Sequence, residues 1–241
     1  MIRKISYNYS PNYSPKKRIS KNIKFIVFHY TGMRSEKKAI KRLTDVKSKV
    51  SCHYFIKRNG DILSMVPEKF VAWHAGVSNW KTIKLLNKHS LGIEIQNIGH
   101  KNGYQSYTRK QTVSIIKISQ YLKKKYKIKN SNLLGHSDIA INRKLDPGEK
   151  FPWKLLSKKN LCNWHKILDS NLKKIRKSKV SVKQKKQFLI YMKKIGYSFN
   201  LNNFKERFLA TKVFQMRFRP QLVNGKIDQE IFEIAENLSK K

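Results

Sequence analysis

The sequence predicts an α/β (α+β) protein in which helices flank a mixed central β-sheet and a small three-helix domain follows. Short apolar runs of strand length alternate with segments of helical periodicity. After residue 153 the composition changes to lysine-rich segments with helical spacing. We therefore expect an irregular arm over residues 1–21, a main domain over 22–158, a helical linker over 159–179 and the three-helix domain over 180–241.

The first half of the main domain is predicted to contain a strand, a helix and a hairpin. Residues 23–28 form a continuous apolar run, typical of a buried strand, which leads to His29. Apolar residues recur at helical spacing over residues 36–49. Asn59-Gly60, between two runs of strand-like pattern, is a strong signal for a β-hairpin.

The second half is predicted to contain two strands around a long helix. Residues 90–97 alternate as a strand, which places Glu94 on the opposite face from its isoleucine neighbours. Thr108 is suited to cap an amphipathic helix over residues 108–126. A short strand over 132–134 then leads to His136. Glu94 faces either solvent or a polar site, because an unpaired buried carboxylate is costly.

Three helical segments make up the predicted C-terminal domain. They cover residues 182–195, 204–217 and 228–238, and they are separated by Gly196-Tyr197 and Asn224-Gly225. About 60 residues in three short helices are enough for a small domain.

The formal net charge is +40, with 54 basic and 14 acidic side chains. Such a charge suits a polyanionic partner, such as nucleic acid, anionic lipid or an acidic cell-envelope polymer. The alternative is a lysine-rich surface without a specific polyanion, and the even spread of the charge favours it. Because no basic helix, RNA-binding motif or zinc-finger spacing concentrates the charge, we expect no specific nucleic-acid partner.

The apolar runs are of strand length, so no transmembrane segment is expected. Residues 1–24 contain no apolar stretch of the kind found in a signal peptide. The protein is therefore expected to remain in the cytoplasm or to leave it by another route, unless a leader is absent from the sequence. Cys52 and Cys162 are far apart and are expected to be free thiols.

Three residues suited to zinc follow the predicted strands. His29 ends the first strand, His136 follows the last, and Asp146 lies in a loop bounded by glycine and proline. Two histidines and a carboxylate with an open fourth position are the pattern of a catalytic zinc site. A hydrolase also needs a base and a cation for the developing oxyanion. Glu94 suits the first role, and Lys144, two residues before Asp146, suits the second.

Five sequence blocks stand in order between residues 22 and 155. They are Phe28-His29-Tyr30-Thr31, Ser51-Cys52-His53-Tyr54 with Asn59-Gly60, Trp73-His74-Ala75-Gly76, Leu91-Gly92-Ile93-Glu94-Ile95, and the stretch from Gly135 to Gly148. Together they resemble the type-2 N-acetylmuramoyl-L-alanine amidases, which have the fold of the peptidoglycan recognition proteins. The resemblance implies zinc-dependent hydrolysis of the amide bond between N-acetylmuramic acid, or its 1,6-anhydro form, and L-alanine of peptidoglycan stem peptides.

The resemblance also implies a role for each candidate residue. It places the zinc ion on His29, His136 and Asp146. It makes Glu94 the catalytic acid and base, and it makes Lys144 the cation that stabilises the transition state.

Four further residues are expected to bind substrate. We expect His53, Trp73, His74 and Asn97 to line the cleft, with Trp73 offering an apolar face to a sugar or lactyl group. The alternatives are core packing for Trp73 and a surface loop for His74.

The C-terminal segment contains the motifs Ile195-Gly196-Tyr197, Ala210-Thr211-Lys212-Val213-Phe214-Gln215 and Asn224-Gly225-Lys226-Ile227-Asp228. In this order they resemble the three-helix peptidoglycan-binding domain. The resemblance implies binding to the cell wall. The alternative is a helical segment that only packs against the amidase domain.

The sequence thus predicts a zinc-dependent amidase that binds peptidoglycan or muropeptides in the cell envelope or periplasm and degrades or recycles cell wall. One alternative is a cytosolic recycling amidase restricted to soluble anhydro-muropeptides, which the absence of a visible signal peptide favours. Another is a non-catalytic peptidoglycan-binding protein, which would lack part of the ligand set. The sequence does not predict the oligomeric state.

Overall fold

A computed structural model describes residues 5–240, so residues 1–4 of the predicted arm and residue 241 lie outside the described residues. The strands are β1 (Ile5–Tyr7), β2 (Tyr13–Ser14), β3 (Phe25–Tyr30), β4 (Tyr54–Ile56), β5 (Ile62–Ser64), β6 (Val71–Ala72), β7 (Asn79–Trp80), β8 (Ile83–Lys84), β9 (Ser90–Ile95) and β10 (Leu133–Gly135). The helices are α1 (Glu36–Thr44), α2 (Arg109–Tyr126), α3 (His136–Ile139), α4 (Trp153–Lys158), α5 (Asp169–Ile175), α6 (Val182–Ile195), α7 (Phe204–Phe218) and α8 (Gln229–Ser239).

Six strands form one mixed sheet in the order β1-β5-β4-β9-β3-β10. Strands β4 and β5 are antiparallel, and every other neighbouring pair in this sheet is parallel. The carboxyl ends of β3, β9 and β10 therefore lie at the same edge of the sheet, and the register places His29 of β3 beside Glu94 of β9. The mixed sheet with flanking helices confirms the predicted fold class.

Two local signals in the sequence correspond closely to the structure. Strands β4 and β5 form an antiparallel pair on either side of Asn59-Gly60, as predicted. Gly60 has φ +88°, a left-handed conformation that favours glycine. Thr108 caps α2 through a reciprocal pair of hydrogen bonds with Gln111, which satisfies two backbone N–H groups at the start of the helix.

Helix α1 is shorter than predicted. It ends at Thr44, whereas the periodic pattern suggested a helix over residues 36–49. Asp45 has an extended backbone, and its side chain accepts a hydrogen bond from the N–H of Lys47, at 2.9 Å. This local bond competes with helical hydrogen bonding and starts a 3₁₀ turn over Val46–Ser48 instead.

The prediction of an irregular arm over residues 1–21 is wrong for part of the described region. Residues 5–7 form β1 and extend the sheet beside β5, and residues 13–14 pair with β6. The buried guanidinium of Arg18 donates to the carbonyl oxygens of Glu68 and Ser90. Backbone pairing and a buried arginine thus attach the arm to the main domain.

Both faces of the sheet are covered. On one face, Ile26 and Phe28 pack with apolar residues of α2 in one buried cluster. On the other, Val27 and Leu134 share a buried cluster with residues of all three C-terminal helices, among them Phe214 of α7. The three C-terminal helices begin and end within one residue of the predicted bounds. The apolar core of these helices is continuous with the packing on this face of the sheet. This packing does not test the predicted domain boundaries, which remain a prediction.

The predicted linker contains little helix. Within residues 159–179 only α5 is helical, over seven residues. Among residues 5–240, no helix combines the length and apolar character needed to cross a membrane.

Candidate metal centre and catalytic cleft

The three predicted zinc ligands converge at the edge of the sheet. His29 comes from β3, His136 from the first position of α3 directly after β10, and Asp146 from the following loop. The Nδ1 atoms of the two histidines lie 2.9 Å apart, and Oδ2 of Asp146 lies 3.1 Å from one and 3.0 Å from the other. All three side chains are buried.

A chain of hydrogen bonds fixes the proton of His29. The hydroxyl of Ser90 donates to the carbonyl oxygen of Leu86, so its oxygen accepts from Nε2 of His74. Nδ1 of His74 is then the acceptor for Nε2–H of His29, at 3.0 Å. In this arrangement Nδ1 of His29 has no proton and presents a lone pair to the other two ligands.

His136 is oriented in the same sense by a backbone group. Its Nε2 lies 3.2 Å from the carbonyl oxygen of Ala75, which can only accept, so Nε2 carries the proton. In the neutral ring Nδ1 then has the lone pair, and it faces Nδ1 of His29 and the Asp146 carboxylate. Support of a ligating imidazole by a backbone carbonyl is common in metal sites.

The charges of the three groups suit a cation. Burial and the neighbouring His136 lower the pKa of His29 to about 4, which keeps this ring neutral at neutral pH. Burial alone would raise the pKa of Asp146, but His136 and His29 lower it well below its usual range. An ionised carboxylate and the lone pair of the neutral His29 ring thus face one point, and the neutral form of His136 would add a second imidazole lone pair.

The spacing of these donors fits zinc. In a tetrahedral site with bonds of about 2.0–2.1 Å, ligand atoms lie about 3.3 Å apart. The observed separations of 2.9–3.1 Å are close to this value. Nitrogen and carboxylate donors are the types that zinc takes in catalytic sites, so the three residues fit the expected ion.

Glu94 faces the same centre from β9. Its side chain is half-buried, and its Oε2 is a buried atom without a hydrogen-bond partner among the described residues. Burial and the nearby Asp146 raise the pKa of Glu94 to about 8. Of the two alternatives for this residue, the structure therefore selects the polar site over solvent. A carboxyl with a raised pKa beside a metal centre is suited to proton transfer.

Lys144 also lines the cleft, in the loop that carries Asp146. The backbone N–H groups of Arg143 and Lys144 both donate to the carbonyl oxygen of Ala140, which fixes the start of this loop. The half-buried side chain of Lys144 forms no ion pair with any residue in the described part of the chain. Its ammonium group is therefore available to a substrate in the cleft.

The cleft around these groups has a volume of about 440 Å³. Its lining includes His29, Tyr30, Arg42, Trp73, His74, Glu94, Lys101, His136, Lys144 and Asp146. The predicted contact residues Trp73 and His74 are thus part of the cleft wall. Trp73 is half-buried and its indole N–H donates to the hydroxyl of Ser14, at 3.2 Å, which leaves its ring at the cleft.

The structure does not bring His53 and Asn97 into the cleft, which corrects their prediction as substrate contacts. His53 is fully buried, and its ring nitrogens are in contact with the N–H of Gly92 and the carbonyl oxygen of Phe70. Asn97 is also buried, and its amide holds the backbone of the loop at Gln105. Both side chains are used for internal hydrogen bonds.

The residues that support the candidate ligands were not predicted from the sequence. Ser90 and the carbonyl of Ala75 carry no signal that distinguishes them from any serine or backbone group. Gly92 offered one, because a glycine inside a strand often marks a close approach. A Cβ atom at Gly92 would lie 2.3 Å from the His74 ring, so this glycine makes room for the imidazole that supports His29.

The sequence of the chain is similar to those of a known family and of several characterised proteins. The family described as N-acetylmuramoyl-L-alanine amidase matches residues 19–149 of the chain. N-acetylmuramoyl-L-alanine amidase AmiD of Escherichia coli (strain K12) is 32% identical over 232 residues, which cover 91% of this chain and 83% of AmiD. The 1,6-anhydro-N-acetylmuramyl-L-alanine amidase AmpD of Haemophilus influenzae is 38% identical over 106 residues, which cover 44% of this chain and 55% of AmpD.

Solved structures show the same likeness over nearly the whole chain. The complex of AmiD from E. coli with the substrate anhydro-N-acetylmuramic acid-L-Ala-D-gamma-Glu-L-Lys has a TM-score of 0.80 and 30% identity, covering 91% of this chain and 89% of that chain. AmpDh3 from Pseudomonas aeruginosa in complex with anhydromuramic pentapeptide has a TM-score of 0.80 and 29% identity, covering 98% of both chains.

Proposed function

Because the chain belongs to the N-acetylmuramoyl-L-alanine amidase family, we propose that it uses zinc to hydrolyse the amide bond between N-acetylmuramic acid, or its 1,6-anhydro form, and L-alanine. The observation that carries the zinc proposal is the convergence of His29, His136 and Asp146 with their donor atoms about 3 Å apart. The family membership confirms the predicted enzyme class.

The ligand set would hold the ion with one position open. When bound, zinc would lower the pKa of a water molecule and polarise the amide carbonyl. Ser90 and His74 hold the ring of His29, and the carbonyl of Ala75 holds that of His136, so both rings would present Nδ1 to the ion.

A bound zinc ion would favour the ionised form of Glu94, which would then act first as base and afterwards as acid. Glu94 takes a proton from the attacking water as the water oxygen bonds to the lactyl carbonyl carbon. The C–N bond then breaks, and Glu94 returns the proton to the departing amine of L-alanine. The ammonium of Lys144 stabilises the negative charge that develops on the carbonyl oxygen.

The substrate class follows from the relatives. AmiD and AmpDh3 were each solved with an anhydro-muropeptide, which supports this form as a substrate of the present chain. The test is mass spectrometry of the products formed from purified anhydro-muropeptides and from intact sacculi, side by side, with the Glu94→Gln protein as control. Release of stem peptides that begin with a free L-alanine amine is expected. Intact amide bonds in both substrates after incubation with zinc-loaded protein would contradict the proposal.

We also propose that the C-terminal helices bind peptidoglycan and that the enzyme acts in the cell envelope. The motifs around Gly196-Tyr197 and Asn224-Gly225 support this role, and a site held on a polymer gains local substrate concentration. Retention on purified sacculi that persists in high salt is expected for such a domain. Retention that disappears with salt would point to the +40 charge instead. The alternative, a cytoplasmic enzyme for soluble fragments, requires no retention.

A further inference from the structure

Asp138, two residues after the ligand His136, is contacted by two side chains from the C-terminal helices. The hydroxyl of Tyr197, just after α6, donates to Oδ1 of Asp138 at 2.9 Å. A guanidinium nitrogen of Arg217, in α7, donates to Oδ2 of the same carboxylate. All three side chains are at most 5% exposed. A buried carboxylate of the catalytic domain thus has both its oxygens engaged by the distant C-terminal segment.

Arg217 also reaches the strand that leads into the metal centre. Its second terminal nitrogen donates to the carbonyl oxygen of Leu133 in β10, at 2.9 Å. The guanidinium carbon lies 4.1 Å from the ring centroid of Trp153, within the range of a cation–π contact. One arginine therefore ties the start of β10, the turn after it and α4 together.

Asp138 in turn shapes the segment that carries His136. Oδ2 of Asp138 accepts a hydrogen bond from the N–H of Gly135, at 2.8 Å, which closes the turn around His136. The N–H of Ser137 donates to the carbonyl oxygen of Asp146, also at 2.8 Å. The same short turn therefore sets the position of one histidine ligand and touches the backbone of the carboxylate ligand.

We propose that Tyr197 and Arg217 are positioning residues for the metal centre, and that the C-terminal helices are a structural part of the catalytic unit. They act through Asp138, which holds the turn that presents His136. A buried ion pair loses much of its stability when one partner is removed, because the other charge remains buried. Loss of Arg217 would leave Asp138 free to turn away from Gly135 and would loosen the His136 turn. The proposal rests on the zinc centre proposed above.

Two variants test the proposal by removing a larger or a smaller part of the contacts to Asp138. Arg217→Gln removes the ion pair, and Tyr197→Phe removes only one hydroxyl. The matched control is Arg219→Gln, since Arg219 is also a buried arginine of the C-terminal segment, paired with Asp228 and Glu230 and not with Asp138. This control separates a general loss of stability from an effect on the metal centre.

The measurement is zinc affinity by competition with a chromogenic chelator, at a temperature where thermal denaturation shows each variant to be folded. Loss of ligand support costs about 10–100-fold in metal affinity. We expect a loss of about 10-fold for Arg217→Gln, a smaller loss for Tyr197→Phe, and wild-type affinity for Arg219→Gln. Arg217→Lys, which keeps the charge, should recover part of the affinity.

Two results would overturn the inference. One is zinc affinity within twofold of wild type in both Arg217→Gln and Tyr197→Phe. The other is an equal loss in Arg219→Gln, which would mean that only stability matters. A failure of the zinc proposal itself would look different, because the wild-type protein would then bind no zinc.

Discussion

Nε2 of His29 lies 3.0 Å from Nδ1 of His74, and the direction of that hydrogen bond is set three groups away. Leu86 accepts from Ser90, Ser90 accepts from His74, and His74 accepts from His29. Burial and the nearby His29 lower the pKa of His74 well below its usual range, which keeps the ring neutral. His74 was predicted to contact substrate, and it does line the cleft, but its ring nitrogens are used to orient His29, a candidate metal ligand.

The hydroxyl of Ser90 is therefore expected to matter for zinc affinity. Ser90→Ala removes the acceptor for His74 and frees that ring to change its tautomer, so His29 loses its fixed orientation. We expect zinc to bind about 10-fold more weakly, as measured by chelator competition. Ser119→Ala is the matched control, because Ser119 is equally buried and its hydroxyl donates to Ile115 within α2. Equal zinc affinities in the two variants would exclude a role in zinc binding for the hydrogen-bond chain from Ser90 through His74 to His29.

Gly92 should not tolerate a side chain while His74 is present. The added methyl of Gly92→Ala would lie 2.3 Å from the His74 ring, inside a buried strand, so the ring must move. We expect a lower melting temperature and weaker zinc binding. The double variant with His74→Ala should be no less stable than His74→Ala alone, because the clash is then gone. A Gly92→Ala protein with normal stability and zinc affinity would show that His74 is not held where we describe it.

Glu94 should make the stability of the metal-free protein depend on pH. Burial raises its folded pKa to about 8 from its ordinary value of 4.5, so the folded state holds a proton that the unfolded state releases between these values. The stability that the protonated Glu94 contributes to the metal-free protein is fully present below pH 4.5 and is lost as the pH rises to about 8. The melting temperature of chelator-treated Glu94→Gln should exceed that of wild type by a margin that grows from pH 5 to pH 8. A constant difference would contradict the raised pKa.

Lys144 should affect turnover and not the metal. Removal of one group that stabilises an oxyanion costs about 10²–10³ in kcat. We expect a loss of this size in Lys144→Ala, with zinc content and melting temperature unchanged. Lys150→Ala serves as a control in the same loop, since Lys150 is exposed and its ammonium group donates to the carbonyl oxygen of Tyr104. Near-normal turnover in Lys144→Ala would remove this residue from the mechanism.

Much of the fold and the centre could be predicted from local patterns. Apolar runs gave β3 and β9, Asn59-Gly60 gave the hairpin, and a histidine at a strand end pointed to the ligand edge. Glu94 could be singled out because a carboxylate between two buried isoleucines needs a polar partner. Each of these signals involves residues that are close together in the chain, so it can be recognised from the sequence alone.

The rest depends on contacts between distant segments. A histidine or an asparagine can either contact substrate in a cleft or form hydrogen bonds in the protein interior. Only the fold shows that His53 and Asn97 lie in the interior. The Asp138–Arg217 pair joins residues 79 apart in the chain. The strand in the predicted arm could not be recognised from the sequence. Strand β1 has only three residues, and it is defined by its pairing with β5 rather than by a pattern of its own.

We propose that His29, His136 and Asp146 hold one catalytic zinc ion. The most direct measurement is a zinc titration of chelator-treated protein, with bound metal and amidase turnover on anhydro-muropeptide followed together. We predict that binding and turnover rise in parallel and reach their plateau at one zinc per chain, and that Asp146→Ala shows neither. Full turnover in the metal-free protein, or one tightly bound zinc in Asp146→Ala with normal turnover, would contradict the claim.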